Sequence, residues 1–187
     1  MNITISEVAN LPSKFGNFKV KAFKQGNKEH LVIYTQNIEQ IPIVRVHSEC
    51  LTGDALGSLK CDCGDQLEYA LNLANKTDGM VIYLRQEGRN IGLLNKMNAY
   101  ALQDKGLNTV EANHQLGFAA DERTYEIVTF ILHHFGIHKI RLLTNNPDKI
   151  NSISDIEIVE RVPIIMKSNQ YNEGYLNTKK NEMGHLI

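Results

Sequence analysis

Three cysteines, Cys50, Cys61 and Cys63, fall inside the segment VRVHSECLTGDALGSLKCDC with the spacing C-x10-C-x-C. Three thiolates grouped this way fill three corners of a tetrahedral zinc site and leave the fourth to water, which is the catalytic pattern. Two buried thiols with a chance neighbour remain an alternative, as does an oxidisable pair. His47 would close the site as a structural one, but on an extended segment it faces away from Cys50. A lone histidine at a strand end is more often a hydrogen-bonded bystander. An odd number of tightly grouped cysteines is a poor disulfide framework, and suits a reducing compartment.

Three further clusters carry chemistry. Arg85-Gln86-Glu87-Gly88-Arg89-Asn90 lies between a strand and a helix, where backbone N–H groups bind anions. Arg85 and Arg89 add forked phosphate donors, and Glu87 is a candidate acceptor for the N–H edge of a guanine. Read plainly, the same stretch is a solvated charged loop. NHQLGFAADER (113–123) places Asp121 and Arg123 at the start of an expected helix, with Asp121 also a candidate N-cap. LTNNPDK (143–149) follows a strand, so Thr144 and Lys149 offer a hydroxyl and a cation where ligands collect in α/β sheets. Its plain reading is an Asn-Pro turn.

The elements that must hold these groups begin as strands: FKVKAF (18–23), HLVIYT (30–35) and IPIVRVH (41–47), separated by polar turns. Helix and strand then interleave. Leu67, Ala70, Leu71 and Ala74 mark a helix over 65–76, and 80–84 is a short apolar strand. Helices are expected over 91–105, stopping at Gly106, and over 122–135, stopping at Gly136. Strands follow at 140–143 and 156–159, and the tail from Met166 reads as polar and irregular. A β-rich start followed by β/α alternation indicates an α/β fold with a mixed sheet. At 187 residues the chain is expected to be one compact domain, with 42% apolar and 22% charged residues. The net charge of −1 does not suit a protein that coats nucleic acid or membrane. No apolar run reaches the roughly 20 residues of a membrane helix, and no signal pattern opens the chain. A cytoplasmic protein without nucleic-acid or membrane partners is the expectation.

VRVHSECLTGDALGSLKCDCGDQLE, RQEGRNIGLLNK, AYALQDKGLNTVEANHQLGFAADER and RLLTNNPDK, in this order, resemble GTP cyclohydrolase II of riboflavin biosynthesis. The similarity runs from about Pro42 through ERVP (160–163) to the YLNTKKNEMGHLI tail, and the first forty residues match only loosely. The resemblance implies a single catalytic domain over 1–187. It implies one catalytic Zn²⁺ on Cys50, Cys61 and Cys63, Mg²⁺ with the nucleotide, and a homodimer. It places GTP contacts on Arg45, Val46, His47, Ser48, Glu49, Gln66, Glu87, Gly88, Arg89, Thr109, Thr144 and Lys149. Asp121 falls on the family's acid/base carboxylate, Arg123 on its essential arginine and Tyr100 on its active-site tyrosine. Without the resemblance Tyr100 would be read as a core-packing residue of a helix.

The implied reaction is hydrolysis of GTP at guanine C8, giving formate, pyrophosphate and a diaminopyrimidinone ribosylamine phosphate. In one version of it the arginine attacks the α-phosphate covalently. A guanidinium essentially never deprotonates in proteins, and a carboxylate beside it raises its pKa further. An electrostatic clamp by Arg123 is the preferred expectation, with the nucleophile left open. An early-stopping relative, a zinc-stabilised nucleotide-binding module and a thiol redox sensor are the competing readings.

Overall fold

The structure, a computed structural model, describes residues 2–186. Met1 and Ile187, the ends of the expected 1–187 domain, lie outside the described residues. The first half of the sheet is antiparallel. β1 (Ile3–Ile5) and β2 (Ala9–Ser13) both pair with the long β3 (Gly16–Gln25), which turns back into β4 (Lys28–Tyr34). The second half is parallel: β5 (Ile43–Ser48), β6 (Met80–Leu84), β7 (Lys139–Leu143) and β8 (Glu157–Val162). The two halves join where β4 pairs antiparallel with β6, giving the order β1-β3-β4-β6-β5-β7-β8, with β2 on β3.

Strand alternation sends successive side chains to opposite faces, and each face has its own helix. Met80, Ile82 and Leu84 of β6, with Val44 and Val46 of β5, pack against Ile127, Val128, Ile131 and Leu132 of α5 (Glu126–His134). Val81 and Ile43 point the other way, onto Ala70, Leu71 and Ala74 of α2 (Cys63–Lys76). Arg45 and His47 share the face of Ile43, so the odd residues of β5 place polar groups on the α2 side. The parallel strands β5, β6 and β7 therefore end side by side at Ser48, Leu84 and Leu143. The segments leaving them are the cysteine, Arg-Gln-Glu-Gly-Arg and Thr-Asn-Asn clusters.

The remaining helices frame these strand ends. α1 (Leu51–Asp54) is one turn carrying the segment between Cys50 and Cys61. α3 (Gly92–Gln103) and α4 (Thr109–Gln115) follow the β6 loop, α6 (Pro147–Ser152) follows β7, and α7 (Glu173–Asn181) closes the chain. Among the described residues no helix is long and apolar enough to cross a membrane.

Several local expectations need correction. α5 starts at Glu126 rather than near residue 122, and its N-cap is Tyr125, not Asp121. Residues 121–123 are held out of the helix because Asp121 Oδ1 accepts from the Arg123 N–H at 3.0 Å, a local turn that competes with helix. The Asn-Pro turn opens a helix: Asn146 Oδ1 caps the Asp148 N–H at 2.8 Å and Pro147 occupies the first helical turn. The tail expected to be irregular contains α7, and α4 was not anticipated.

Candidate active site

The three thiol groups meet where α1 approaches the start of α2. Their sulfurs all lie within 4.8 Å of one another, all three are free thiols, and Cys50 Sγ is 3.7 Å from Cys61 Sγ. Glycine makes the approach possible. A Cβ on Gly53 would lie 2.8 Å from Cys61 Sγ and 3.2 Å from Cys50 Sγ, and one on Gly64 would lie 2.5 Å from the Gly53 carbonyl oxygen. Hydrogen bonds from Cys61 and Cys63, together with Lys96 nearby, push the Cys50 thiol far below its ordinary pKa despite burial. The Cys50 sulfur in turn pushes the Cys61 and Cys63 thiols up, so the three share one negative charge, and a soft sulfur set of this kind suits a borderline or soft metal ion.

His47 is not part of this set. Its Nε2 lies 3.1 Å from Asp54 Oδ1, its ring stacks on Tyr83, and burial lowers its pKa so that it stays neutral. Asp54 also accepts from the Cys50 backbone N–H at 3.0 Å and from the Tyr83 hydroxyl at 2.7 Å. His47 therefore braces the turn that presents Cys50.

The sulfurs open onto a cleft enclosing about 1160 Å³ of space continuous with solvent. Its floor is cationic. Arg45, 6% exposed, donates Nη1 to the Leu143 carbonyl at 3.0 Å and Nη2 to Gln66 Oε1 at 2.6 Å, while its Nε is buried without a partner. Burial lowers its pKa to about 10. Lys149 reaches in from α6 and donates to the Val46 carbonyl at 2.8 Å. Burial, then Arg45 and Arg123, press its pKa well below the usual lysine range. Arg89 donates to the Ala120 carbonyl at 3.1 Å and keeps Nη2 buried and unpaired. It stands in the run Gly88, Arg89, Asn90, where three successive residues have positive φ, a conformation costly for non-glycine residues and common at functional loops. Buried donors without acceptors are rare in finished proteins, which marks Arg45 Nε and Arg89 Nη2 as candidate ligand contacts.

On one wall Arg123 turns Nε onto both oxygens of Asp121, at 2.8 and 3.0 Å, and Nη2 onto Oδ2. Its Nη1 lies 3.4 Å from the Ser48 hydroxyl. Burial would lower the pKa of Arg123, but the Asp121 contacts outweigh it and hold the guanidinium above its ordinary value. On another wall Tyr100 of α3 sets its hydroxyl 3.5 Å from Thr52 Oγ1, and burial raises its pKa, so the phenol stays protonated. Ser48, Glu49, Gln66, Gly88, Thr109 and Thr144 also border the cleft.

Four of the expected site residues sit differently from the rest. Val46 buries its side chain in the core and offers only its carbonyl, to Lys149. Asp121 stands behind Arg123 rather than in the cleft wall. Glu87 lines the cleft, but its carboxylate already accepts from Lys96 Nζ at 2.7 Å, from Leu51 N–H at 2.6 Å and from its own Gly88 N–H at 2.9 Å. Arg85 points away from the cleft and pairs with Glu49 at 2.9 Å.

The cleft also contains residues that sequence reasoning did not single out. Lys96 lies one turn before Tyr100 on α3. Tyr175, Lys179 and His185 come from α7 and the segment after it. Lys179 Nζ pairs with Asp62 Oδ1 at 2.9 Å, and Asp62 Oδ2 accepts from Gln66 Nε2 at 2.6 Å, linking the last helix through Gln66 to Arg45. Their only sequence signal is their place in the resembling segments, Lys96 at the end of RQEGRNIGLLNK and the other three in the tail.

The parallel strands of the mixed sheet end at a three-thiol cluster and a cation-lined cleft, an arrangement suited to an enzyme that takes an anionic substrate. The chain belongs to the GTP cyclohydrolase II family, whose model matches residues 4–163. It is 65% identical over 187 residues to the GTP cyclohydrolase-2 of Campylobacter hominis, covering all of this chain and 97% of that one. It is 56% identical to the Helicobacter hepaticus protein of the same name, covering 100% of both chains. With that of Helicobacter pylori strain Shi470 it shares 54% over 99% of this chain and 98% of that one.

Proposed function

We propose that this chain hydrolyses GTP at guanine C8, with Zn²⁺ held by Cys50, Cys61 and Cys63, as the first committed step of riboflavin synthesis. Formate and pyrophosphate leave, and a diaminopyrimidinone ribosylamine phosphate remains. The observation that carries the reading is the placement of the three sulfurs on the edge of a cleft where Arg45, Arg89 and Lys149 donate to backbone carbonyls and make no ion pair with a carboxylate. A tetrahedral zinc with Zn–S bonds of about 2.3 Å sets its sulfurs about 3.8 Å apart, and Cys50 and Cys61 stand at 3.7 Å. Held there by Cys50, Cys61 and Cys63, zinc would supply Lewis acidity and the means to activate water near neutral pH.

The chain's own residues do the rest. Arg45 and Lys149, both buried, and Arg89, whose Nη2 is buried without a partner, receive the triphosphate, and the phosphate charge favours the ammonium form of Lys149. Thr144, at the end of β7, adds a hydroxyl beside them. Arg123 clamps the α-phosphate while Asp121 fixes the plane of its guanidinium. Tyr100, protonated and aimed across Thr52, donates to the oxygen that gains charge as the imidazole ring opens. Ser48 and Gln66 orient Arg123 and Arg45. Mg²⁺ entering with the nucleotide shares the phosphate charge with these cations. We place residues 1–187 in one catalytic domain, acting in the cytoplasm, where thiols stay reduced.

The test is formate and pyrophosphate release from GTP by purified protein, with and without a zinc chelator. Metal-free protein and each of Cys50→Ser, Cys61→Ser and Cys63→Ser should form no formate, because serine is a much poorer zinc ligand than thiolate. Pyrophosphate release should persist in the metal-free protein, leaving GMP, since Arg45, Arg89 and Lys149 are held by backbone carbonyls and not by the sulfurs. Full formate release without zinc would overturn the reading.

A further inference from the structure

Lys96 is a lysine buried to 8% exposure beside the sulfur cluster, and lysines are almost never buried without a specific partner. Its Nζ lies 2.7 Å from Glu87 Oε1, 3.1 Å from Cys50 Sγ and 3.1 Å from Thr52 Oγ1. The same ammonium sits 5.7 Å from the centroid of the Tyr100 ring, one helical turn further along α3. Glu87 in turn holds the Leu51 N–H, which fixes the residue after Cys50. Lys96 is thus the junction of the Cys50 sulfur, the α1 turn and the Tyr100 helix.

Resting on the zinc reading above, the geometry points to Lys96 as a positioning residue of the metal centre, which donates a charged hydrogen bond to the Cys50 thiolate. Three thiolates on a divalent ion carry a net charge of about −1 and quench its Lewis acidity. A hydrogen bond on one sulfur draws electron density off that ligand and restores it, as outer partners of metal ligands generally do. Glu87 keeps the ammonium in place and also prevents the pair from adding net charge to the site. The Glu87 carboxylate, 2.7 Å from Nζ and 9% exposed, is the counter-charge that keeps the ammonium in this buried place. Thr52 extends the effect, because its hydroxyl touches both Lys96 Nζ and the Tyr100 hydroxyl. The group that sets the metal's acidity and the group that receives the ring oxygen are held by one contact.

The experiment uses full-length protein stripped of metal and reloaded with cobalt(II). Wild type should show a sulfur-to-cobalt charge-transfer band in the near ultraviolet. Its absence would remove the metal reading and this inference with it. In Lys96→Met the band should move to longer wavelength, because a sulfur without the hydrogen bond gives up its electrons more easily. In the zinc-loaded variant kcat for formate release should fall roughly 10–100-fold, with KM for GTP unchanged. Lys96→Arg should return the band to near its wild-type position and recover part of the rate. If Lys96→Met does not fold, Glu87→Gln, which removes the carboxylate that anchors Nζ beside Cys50, should show a smaller shift in the same direction. A wild-type band and wild-type kcat in the folded variant would overturn the role of Lys96 while leaving the metal site standing.

Discussion

Arg123 and Asp121 hold each other along the edge of the guanidinium, and this contact bears on how the α-phosphate is handled. A guanidinium held above its ordinary pKa has no lone pair to attack phosphorus. Clamping is what the geometry favours. Arg123→Lys keeps the charge but loses the fork, and should lose most activity. A stalled variant such as Cys61→Ser incubated with GTP should show no nucleotide adduct by intact-protein mass. A GMP-sized adduct on Arg123 would refute the clamp. Burial would raise the Asp121 pKa, but the hydrogen bonds and charge of Arg123 hold it below the ordinary carboxylate value. That stabilisation is therefore fully present above the unfolded value, about 3.9, and is lost as pH falls through the lower folded value. Asp121→Asn should melt below wild type at neutral pH, with the gap closing on acidification. A gap that stays constant down to pH values below the folded pKa would assign the loss to something other than this charge. For Tyr100 the arrangement favours a donor used in the transition state. Tyr100→Phe should keep KM and lower ring turnover by roughly 10²–10³-fold, as for one oxyanion donor. Wild-type formate release would return Tyr100 to a packing role.

The thiol cluster is built at the level of elements, by α1 and α2 crossing at two glycines. Gly53→Ala puts a methyl against two sulfurs, and Gly64→Ala puts one into the Gly53 carbonyl. Each should cost on the order of 1–3 kcal/mol from overpacking and lower the bound zinc per chain. Metal content beside the thermal midpoint checks this, and full zinc occupancy in either variant would mean the turn can open without loss. Neither glycine stands out in the sequence, because the need for it comes from a crossing that no local pattern encodes. Strands β3, β4, β5 and β6 and helix α2 were legible because their apolar residues recur at the period of the element. α7, EGYLNTKKN, buries mainly Thr178 and so shows no apolar stripe. α4 did carry a signal: Asn108 and Glu111 form a reciprocal capping box, overlooked because the seven residues after it lack apolar periodicity. The start of α5 was misplaced because Asp121 looks like a cap and serves instead as partner to a side chain two residues on. At the site, residue types and spacing exposed the sulfurs and the loops after β6 and β7. Lys96 and Lys179 were hidden, since a lysine in a helix reads as solvated until its burial is known.

Across the whole molecule a net charge of −1 conceals a strong polarity, because Arg45, Arg89, Arg123, Lys149 and Lys179 all converge on one cleft. KM for GTP should therefore rise as salt is raised above about 0.1 M, where the Debye length falls below about 10 Å. A KM indifferent to salt would mean the nucleotide is held by its base. The opposite feature is apolar. Leu56 and Leu94 are 73% and 76% exposed, and Leu51, Leu59, Leu93 and Met97 are exposed beside them in sequence on α1, the turn after it and α3. These elements are tied together by Thr52 with Tyr100 and by Lys60 with Asp104. Apolar exposure on two linked elements suits an interaction site, and the homodimer implied by the family resemblance is proposed to form there. Sedimentation at micromolar concentration should give about twice the 21.1 kDa chain mass. The double variant Leu56→Glu, Leu94→Glu should sediment as a monomer, because an isologous contact places each new charge in the interface twice over. Both side chains already face solvent, so the monomer itself should fold with little loss. A dimer that survives both charges would move the interface to another face, and a wild-type chain at monomer mass would end the dimer proposal.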